Sequence, residues 1–208
     1  MDTVTRYPER ARTDREDLDR VLDSASTCTF ATVLDGRPWL VPMLYARDGD
    51  RILLHGSTGA GALRHVMAGA PVAVSVMLLD GIVVAEDLYH SSANYRSAVV
   101  RGTVGRLGAA EALEALNILS DRLIPGRSSE VPAPTSKQLA ATAALALPIL
   151  PGQWTAKVRD APPTRTDIPG PWSGVVPLRT VAETPVPAPW ISDDAPLPLS
   201  VQRLAAID

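Results

Sequence analysis

The stretch TCTFATVLDGRPWLVPMLYARDGDRILLHGS, residues 27–57, decides the fold class of this chain. It contains three runs rich in β-forming residues: 27–34, 39–46 and 51–56. Asp35-Gly36 separates the first two runs and favours a tight hairpin, because glycine adopts positive φ at little steric cost. Asp48-Gly49-Asp50 makes the second turn. Strands joined by such short turns are antiparallel, so the chain is predicted to open as a β-meander.

Further strands and helices follow the meander. Residues 71–79 and 82–88 flank another Asp-Gly pair, Asp80-Gly81, and are predicted to form a second hairpin. Two more strands are predicted over 96–107 and 153–160. Helical spacing or capping patterns predict helices over 13–25, 61–70, 111–123 and 135–146. About six antiparallel strands with intervening helices make a small barrel, whereas a doubly wound α/β fold needs crossover helices between its strands.

Composition divides the 208-residue chain into three parts. Residues 161–208 hold 10 of its 19 prolines, which excludes long helices and central strands there. The same segment carries Trp172 and Trp190, and such apolar residues are typical of an arm that packs on its own domain or on a dimer partner. Residues 1–12 are predicted to be a flexible N-terminal arm, and residues 13–160 to form the barrel domain.

Charge and hydropathy exclude several classes of protein. The net charge is −3 and the basic residues are scattered, so no nucleic-acid partner is predicted. No run approaches the ~18 apolar residues that span a bilayer, and the N-terminal segment lacks the apolar core of a signal peptide. No metal-ligand spacing of cysteine and histidine occurs, so no metal site is predicted. These features predict a soluble, cytoplasmic protein without membrane contact, in which Cys28 is a small core residue.

Several motifs, taken in order, resemble the pyridoxamine 5′-phosphate oxidase-like, FMN-binding split-barrel superfamily, and within it the nitroimidazole-resistance-like flavoproteins. The matching segments are DGRPWLVPMLYARDGDRILLHGS (35–57), GAPVAVSVMLLDGIVVA (69–85), HSSANYRSAVVRG (90–102), PGR (125–127), KQLAATAALALP (137–148), TAKVRDAPP (155–163) and WSGVVPL (172–178). The resemblance implies a six-stranded antiparallel split β-barrel of Greek-key topology. It also implies a homodimer with FMN at the subunit interface, and two-electron oxidation or reduction of a small planar molecule.

The resemblance further assigns site residues. The candidate cofactor-binding residues are His55, Gly56, Ser57, Thr58, Asn94, Tyr95, Arg96, Ser97, Lys157 and Arg159, and the candidate catalytic residues are Tyr45, His55 and His90. Hydroxyls and turn amides such as those of residues 55–58 are good phosphate donors, although Ser57 or Thr58 is equally suited to cap a helix. For the cations, a surface ion pair or a charged strand edge is the alternative interpretation.

Two positions depart from the pattern of that family. Gly61 and Glu86 stand where relatives carry arginines, which would neutralise a phosphate group. Their loss makes the predicted pocket less cationic, so a second hypothesis keeps the barrel without FMN. The interface pocket then binds haem, through His55 or His90, or a biosynthetic small molecule. A third hypothesis, a non-catalytic binding module, has neither a DNA-reading helix nor a basic patch to support it.

Overall fold

An antiparallel sheet of ten strands forms the body of the computed structural model, which describes residues 4–167, 170, 172–192 and 194–205. The strands are β1 (Ala11–Arg12), β2 (Thr27–Leu34), β3 (Arg37–Asp48), β4 (Arg51–Ser57), β5 (Pro71–Val84), β6 (Ser92–Thr103), β7 (Gly105–Arg106), β8 (Thr142–Pro148), β9 (Trp154–Arg159) and β10 (Gly174–Pro177). The helices are α1 (Arg15–Asp23), α2 (Gly61–Met67), α3 (Ala109–Leu123), α4 (Ser136–Ala141) and α5 (Leu199–Ala205).

The sheet curls back on itself through the continuation of β6. The strand order is β1-β9-β6-β5-β2-β3-β4-β8-β7, and β10 pairs with β5. After Val104 the chain runs from β6 into β7, and β7 pairs with β8 at the other end of that order. The predicted fold, a mainly β antiparallel barrel with helices, is therefore confirmed, although the described residues form more strands than the six expected.

The meander of residues 27–57 forms as predicted. β2 and β3 pair in continuous register from Thr27 opposite Leu44 to Leu34 opposite Arg37. The turn residues Asp35 and Gly36 have φ values of 51° and 73°. Two successive positive φ angles are characteristic of a type I′ turn, whose twist matches that of the strands it joins.

The barrel is split between β3 and β4. These strands pair only from Tyr45 opposite Leu54 to Asp48 opposite Arg51. Beyond that point β3 continues with β2 alone, and residues 55–57 of β4 continue with β8 alone. The chain then enters α2, in which a ring nitrogen of His65 lies 2.9 Å from the carbonyl oxygen of Val33 on β2. Helix α2 thereby connects the end of β4 to the strand pair from which β4 has diverged.

Two layers of apolar packing hold the barrel together. The main core includes Leu18, Leu22, Phe30, Leu54, Val74, Val100 and Leu145. On the opposite face of β4 and β8, helix α3 buries Ala115 and Leu119 against Leu53 and Ala144. Because β8 is covered on both faces, its residues 143–147 are all buried and form a continuous apolar run.

The predicted hairpin at Asp80-Gly81 is wrong. β5 continues through both residues to Val84, with only a shift of register to β6 between Leu79 and Gly81. Partners on both sides hold this part of β5 extended, since β6 pairs with one edge and β10 with the other. Pairing over the whole strand therefore overrides the local turn preference of the Asp-Gly pair.

The predicted helix over 135–146 is wrong in its second half. Its start is confirmed, because the Thr135 hydroxyl accepts a hydrogen bond from the Gln138 backbone and the Gln138 side chain bonds back to Thr135. The helix ends at Ala141, and the next seven residues pair with β4 as β8. Helix propensity of alanine and leucine is a fraction of a kcal/mol per residue, and tertiary pairing outweighs it.

Both chain ends contact the barrel. Within the predicted N-terminal arm, Ala11 and Arg12 pair with β9 as β1, next to a turn of 3₁₀ helix over Pro8–Arg10. In the predicted C-terminal arm, β10 pairs with β5, and Ser200 of α5 contacts the barrel domain through Glu130. None of the helices in the described residues is long and apolar enough to cross a membrane.

Candidate functional site

The end of β4 presents polar groups on the outside of the barrel. His55 and Ser57 are exposed, whereas Gly56 lies toward the interior. A Cβ atom at Gly56 would lie 2.4 Å from the Leu63 side chain, so glycine lets α2 pack closely against the strand. In the turn that follows, the backbone N–H groups of Gly59 and Ala60 donate to the hydroxyl and carbonyl oxygens of Ser57.

The divergence of β3 leaves one edge of residues 55–57 without a strand partner among the described residues. Backbone groups on such an edge, together with the Ser57 and Thr58 hydroxyls, are suited to bind phosphate oxygens. Two cations lie on neighbouring elements, Arg64 on α2 and Lys137 on α4. Both are exposed, and neither has a hydrogen-bond or ion-pair partner within the described part of the chain.

The remaining candidate cofactor-binding residues form a second group on β6 and β9. Tyr95 lies opposite Arg159, and Ser97 lies opposite Lys157. In the sheet of one protomer, strands β5, β2 and β3 separate this group from β4. The structure therefore places the predicted binding residues in two groups rather than in one pocket of a single chain.

Three cations of this second group are engaged within the protein. The Arg96 guanidinium donates to both carboxylate oxygens of Asp80, at 2.9 and 2.7 Å, and to the Ser24 hydroxyl at 2.7 Å. Arg159 is buried and donates to the Asn94 side-chain oxygen, and the Lys157 amine donates to a backbone carbonyl of the N-terminal arm. A phosphate could recruit Arg96 only by competing with the carboxylate of Asp80.

A cavity of about 760 Å³ opens beside the Arg96–Asp80 pair. Hydroxyls of residues 24–27, apolar side chains of β5 and residues 177–180 of the C-terminal arm line it. The exposed side chains of Met77 and Leu79 provide a flat apolar wall. The cavity thus combines an apolar surface with a fixed ion pair, a combination suited to a small polar-edged molecule.

The structure places Tyr45, a candidate catalytic residue, in the core of the barrel. Its side chain is 1% exposed, and its hydroxyl donates a hydrogen bond of 2.5 Å to the Leu22 carbonyl. Burial raises the pKa of the phenol above its ordinary value, which opposes its ionisation. Tyr45 is therefore a core residue that ties β3 to α1, and no ligand reaches its hydroxyl.

His90 lies in the loop between β5 and β6 and is held by Asp87. Its Nδ1 atom lies 2.8 Å from both carboxylate oxygens of Asp87, one of which also accepts the His90 backbone N–H at 2.8 Å. A nitrogen between two carboxylate oxygens must carry the proton, so Nε2 keeps its lone pair in the neutral ring. Asp87 was not among the predicted site residues, although the Asp-x-x-His spacing of residues 87–90 is a signal for this contact.

Glu86 bonds to the C-terminal arm. Its carboxylate accepts the backbone N–H of Thr166 at 3.0 Å and the Thr166 hydroxyl at 2.6 Å, and these bonds hold the pKa of Glu86 below its ordinary value. Gly170 packs so closely that a Cβ atom there would lie 2.6 Å from the Glu86 side chain. The glutamate at the position of an expected arginine thus has a structural role of its own.

Comparison with known proteins places this geometry in context. Residues 14–170 match the model of a protein family described as pyridoxamine 5′-phosphate oxidase. No protein with a curated description matches the chain in sequence.

Three solved structures share the fold. The FAD and haem binding protein of Mycobacterium smegmatis is 43% identical, with a TM-score of 0.91 over 94% of this chain and 97% of that one. The flavocytochrome Anf3 of Azotobacter vinelandii is 30% identical, with a TM-score of 0.89 over 97% of this chain and 94% of that one. A Bacteroides thetaiotaomicron protein named for 5-nitroimidazole antibiotic resistance is 21% identical, with a TM-score of 0.60 over 71% and 86%, a likeness that shows the fold alone.

Proposed function

Because the chain belongs to the pyridoxamine 5′-phosphate oxidase family, as its motifs predicted, we propose that it is a homodimeric redox protein that binds a flavin and haem. The observation that carries the proposal is His90, whose Nδ1 is held by Asp87 while Nε2 remains open to a ligand. Two structures at 30% identity or more are described as a flavocytochrome and as an FAD and haem binding protein. When bound, the pair of cofactors would supply both two-electron and one-electron chemistry.

The flavin is assigned to the free edge of β4. In the part of the chain that the structure describes, residues 55–57 offer unpaired backbone groups and the exposed Ser57 hydroxyl. Arg64 and Lys137 offer positive charge without an internal partner in the described residues. The flavin is FAD rather than the FMN expected from the sequence, since the relative of 43% identity is described as binding FAD. Two dispersed cations suit a pyrophosphate, whose charge is spread over two groups.

Haem is assigned to His90 rather than His55 or His65. A histidine that ligates a metal ordinarily donates its other ring N–H to a carboxylate or a carbonyl, which fixes the ring and its tautomer. His90 has such a carboxylate partner in Asp87. His65 meets the same condition, because one ring nitrogen lies 2.9 Å from the Val33 carbonyl oxygen, but the charged carboxylate behind His90 is the stronger partner and favours His90. His55 is one of the residues of β4 already assigned to the flavin.

The homodimer is assigned to the outer face of β3 and β5. Leu40 is 61% exposed and Met77 is 65% exposed, and Leu44 and Leu79 are exposed beside them. Strand β2 lies between β3 and β5 and adds the exposed Thr27 and Thr29 to the same face. Exposed apolar side chains grouped on one sheet face are typical of a protein interface. A second copy offers the same face, so one twofold axis would bury both. A dimer also provides a way for the two groups of cofactor-binding residues to meet, each contributed by a different subunit.

The cavity beside Arg96 is assigned to the small planar molecule expected as substrate. Its apolar wall suits a ring, and its ion pair suits a polar edge. Asp80→Asn tests this site, because it leaves Arg96 without its carboxylate partner. An anionic small molecule that competes with Asp80 for Arg96 should then bind more tightly.

An absorbance spectrum of the purified protein tests the function. Flavin bands and a Soret band are expected, and mass spectrometry of the released cofactors should identify FAD and haem. His90→Ala should abolish the Soret band and keep the flavin bands, whereas His55→Ala should keep the Soret band. A colourless protein that binds neither added FAD nor added haemin would contradict the proposal.

A further inference from the structure

The Asp87 carboxylate contacts both the backbone and the ring of His90. We infer that Asp87 is a positioning residue for haem ligation, which fixes the His90 ring and strengthens Nε2 as a donor to iron. The inference rests on the proposed function and deepens it. It concerns Asp87 itself, whose carboxylate lies one hydrogen bond behind the assigned ligand.

The geometry of the Asp87 carboxylate suits a strong hydrogen bond to the His90 ring. Both of its oxygens lie 2.8 Å from His90 Nδ1, within the range of a charge-assisted hydrogen bond. The Asp87 side chain is only 24% exposed, so water competes weakly for this bond. A negative charge at Nδ1–H shifts electron density toward Nε2, which favours ferric over ferrous iron.

In the described part of the chain, no neighbouring carboxylate substitutes for Asp87. Glu86 precedes it in the chain, but the Glu86 carboxylate bonds to the backbone and hydroxyl of Thr166. Among the described residues, the carboxylate that contacts His90 is that of Asp87. The effect on the ring can therefore be removed by changing one residue.

The loop that carries Asp87 and His90 is held in place by its own contacts before any ligand binds. The Ser91 hydroxyl donates to the Asp87 carbonyl at 2.8 Å and accepts the Ala85 N–H at 3.1 Å. His90 and Tyr89 meet edge to face, with ring centroids 5.1 Å apart. Little ring motion remains to be lost on ligation, which favours binding.

Leu88 and Tyr89 complete the surroundings of the ligand. They are 95% and 89% exposed, so both present apolar surface to solvent. Both directly precede His90 in the sequence, and the Tyr89 ring lies edge to face against the His90 ring. Haem has an apolar macrocycle and an iron centre that binds imidazole nitrogen, so it matches apolar side chains next to a histidine.

If Asp87 only shaped the loop, replacing it by asparagine would leave haem binding unchanged. As a loop residue, Asp87 needs only one oxygen to accept the His90 backbone N–H at 2.8 Å. Asparagine supplies that oxygen and keeps the turn, but it carries no charge. Asp87→Asn therefore separates the role in loop shape from the role in ligand strength.

The experiment compares the full-length protein with Asp87→Asn, His90→Ala and the control Asp160→Asn, which alters an exposed carboxylate without a partner in the described residues. Asp87→Asn should keep its flavin and bind haemin roughly 10- to 100-fold more weakly. It should also raise the potential of bound haem by about 59 mV for each tenfold loss of ferric preference. Asp160→Asn should match the original protein in both respects.

Four outcomes distinguish this inference from the proposed function. Haem affinity and potential unchanged in Asp87→Asn would overturn the inference and leave the function intact. Loss of haem in His55→Ala but not in His90→Ala would overturn the inference by moving the ligand. An original protein that binds no haem would overturn both. Nitrogen NMR of the cofactor-free protein adds a readout, since His90 protonated on Nε2 rather than Nδ1 would also overturn the inference.

Discussion

At the scale of the residue, Gly61 leaves room for a positive charge near the free edge of β4, where we propose that the flavin binds. Gly61 opens α2, directly after the turn, and nothing lies within 4 Å of the position of a Cβ atom there. Its φ is not in the positive range, so a larger residue fits the backbone without strain. The site therefore has room for the arginine that its relatives were expected to carry.

Gly61→Arg should tighten the binding of phosphate-bearing flavins. The gain should be roughly fivefold, the size of an exposed ion pair, and riboflavin affinity should not change. Fluorescence titration with FAD, FMN and riboflavin measures this. Gly61→Gln is the matched control, since it adds length without charge. An equal gain for riboflavin would assign the effect to packing.

Local motifs of the candidate site could be predicted from the sequence better than the contacts that each side chain makes. The β4 turn and its hydroxyls could be found because the motif is local. The burial of Tyr45 and the engagement of Arg96 by Asp80 could not, because both depend on contacts between segments far apart in the chain. Asp87 and His90 are three residues apart, so their contact was within reach of sequence reasoning.

At the scale of the element, the pairing of β10 with β5 depends on a glycine of β5. A Cβ atom at Gly81 would lie 3.1 Å from the Val176 carbonyl oxygen and 3.1 Å from a methyl group of Val175. The glycine thereby lets β10 lie close enough to pair with β5. Both contacts come from the arm, and one of them is backbone that cannot rotate away.

Gly81→Ala should therefore weaken the attachment of β10. The expected loss in free energy of unfolding is about 1–3 kcal/mol, typical of an overpacked site. Urea denaturation measures it. Gly105→Ala is the control, because nothing lies within 4 Å of a Cβ atom there. Similar losses in the two variants would show that the close approach of the arm to Gly81 does not explain the effect.

Helix α5 is held by a carboxylate, which makes its attachment sensitive to acid. Glu130 accepts both the backbone N–H and the hydroxyl of Ser200, and these bonds hold its pKa below the ordinary 4.5. The stabilisation is complete above the pKa of the unfolded chain and is lost as the pH falls through the lowered pKa of the folded state.

Acidification below pH 4.5 should therefore release α5 before the barrel unfolds. The Ser200 amide resonance, followed by NMR against pH, reports the release. In Glu130→Gln the resonance should already differ at neutral pH and should not shift further in the same window. A Ser200 amide that titrates identically in both proteins would show that another group controls the attachment.

The elements that prediction missed share one cause. β8 was predicted as a helix and the Asp80-Gly81 position as a turn, and in both cases distant strands supply the partners. Local patterns report propensities of less than a kcal/mol per residue, and continuous pairing outweighs them. The Asp35-Gly36 hairpin was predicted correctly because its two strands are neighbours in sequence.

At the scale of the whole molecule, the proposed dimer interface on the exposed face of β3 and β5 can be tested with one substitution. Leu40→Glu should shift the protein from dimer to monomer, since two carboxylates would meet near the proposed axis without compensation. Sedimentation equilibrium measures the change. Val131→Glu is the control, as it adds the same charge at an exposed position outside the strands. A dimer that survives Leu40→Glu would place the interface elsewhere.

The pairing of β10 with β5 has a consequence for the fate of shortened chains. Residues 81–84 of β5 carry Ile82 and Val84, and β10 covers the backbone edge of that segment. A chain that ended after β9 would leave this apolar edge bare, and bare edges recruit strands from other molecules. Such a fragment should keep most of the barrel and still precipitate, so the proline-rich tail protects the protein against aggregation.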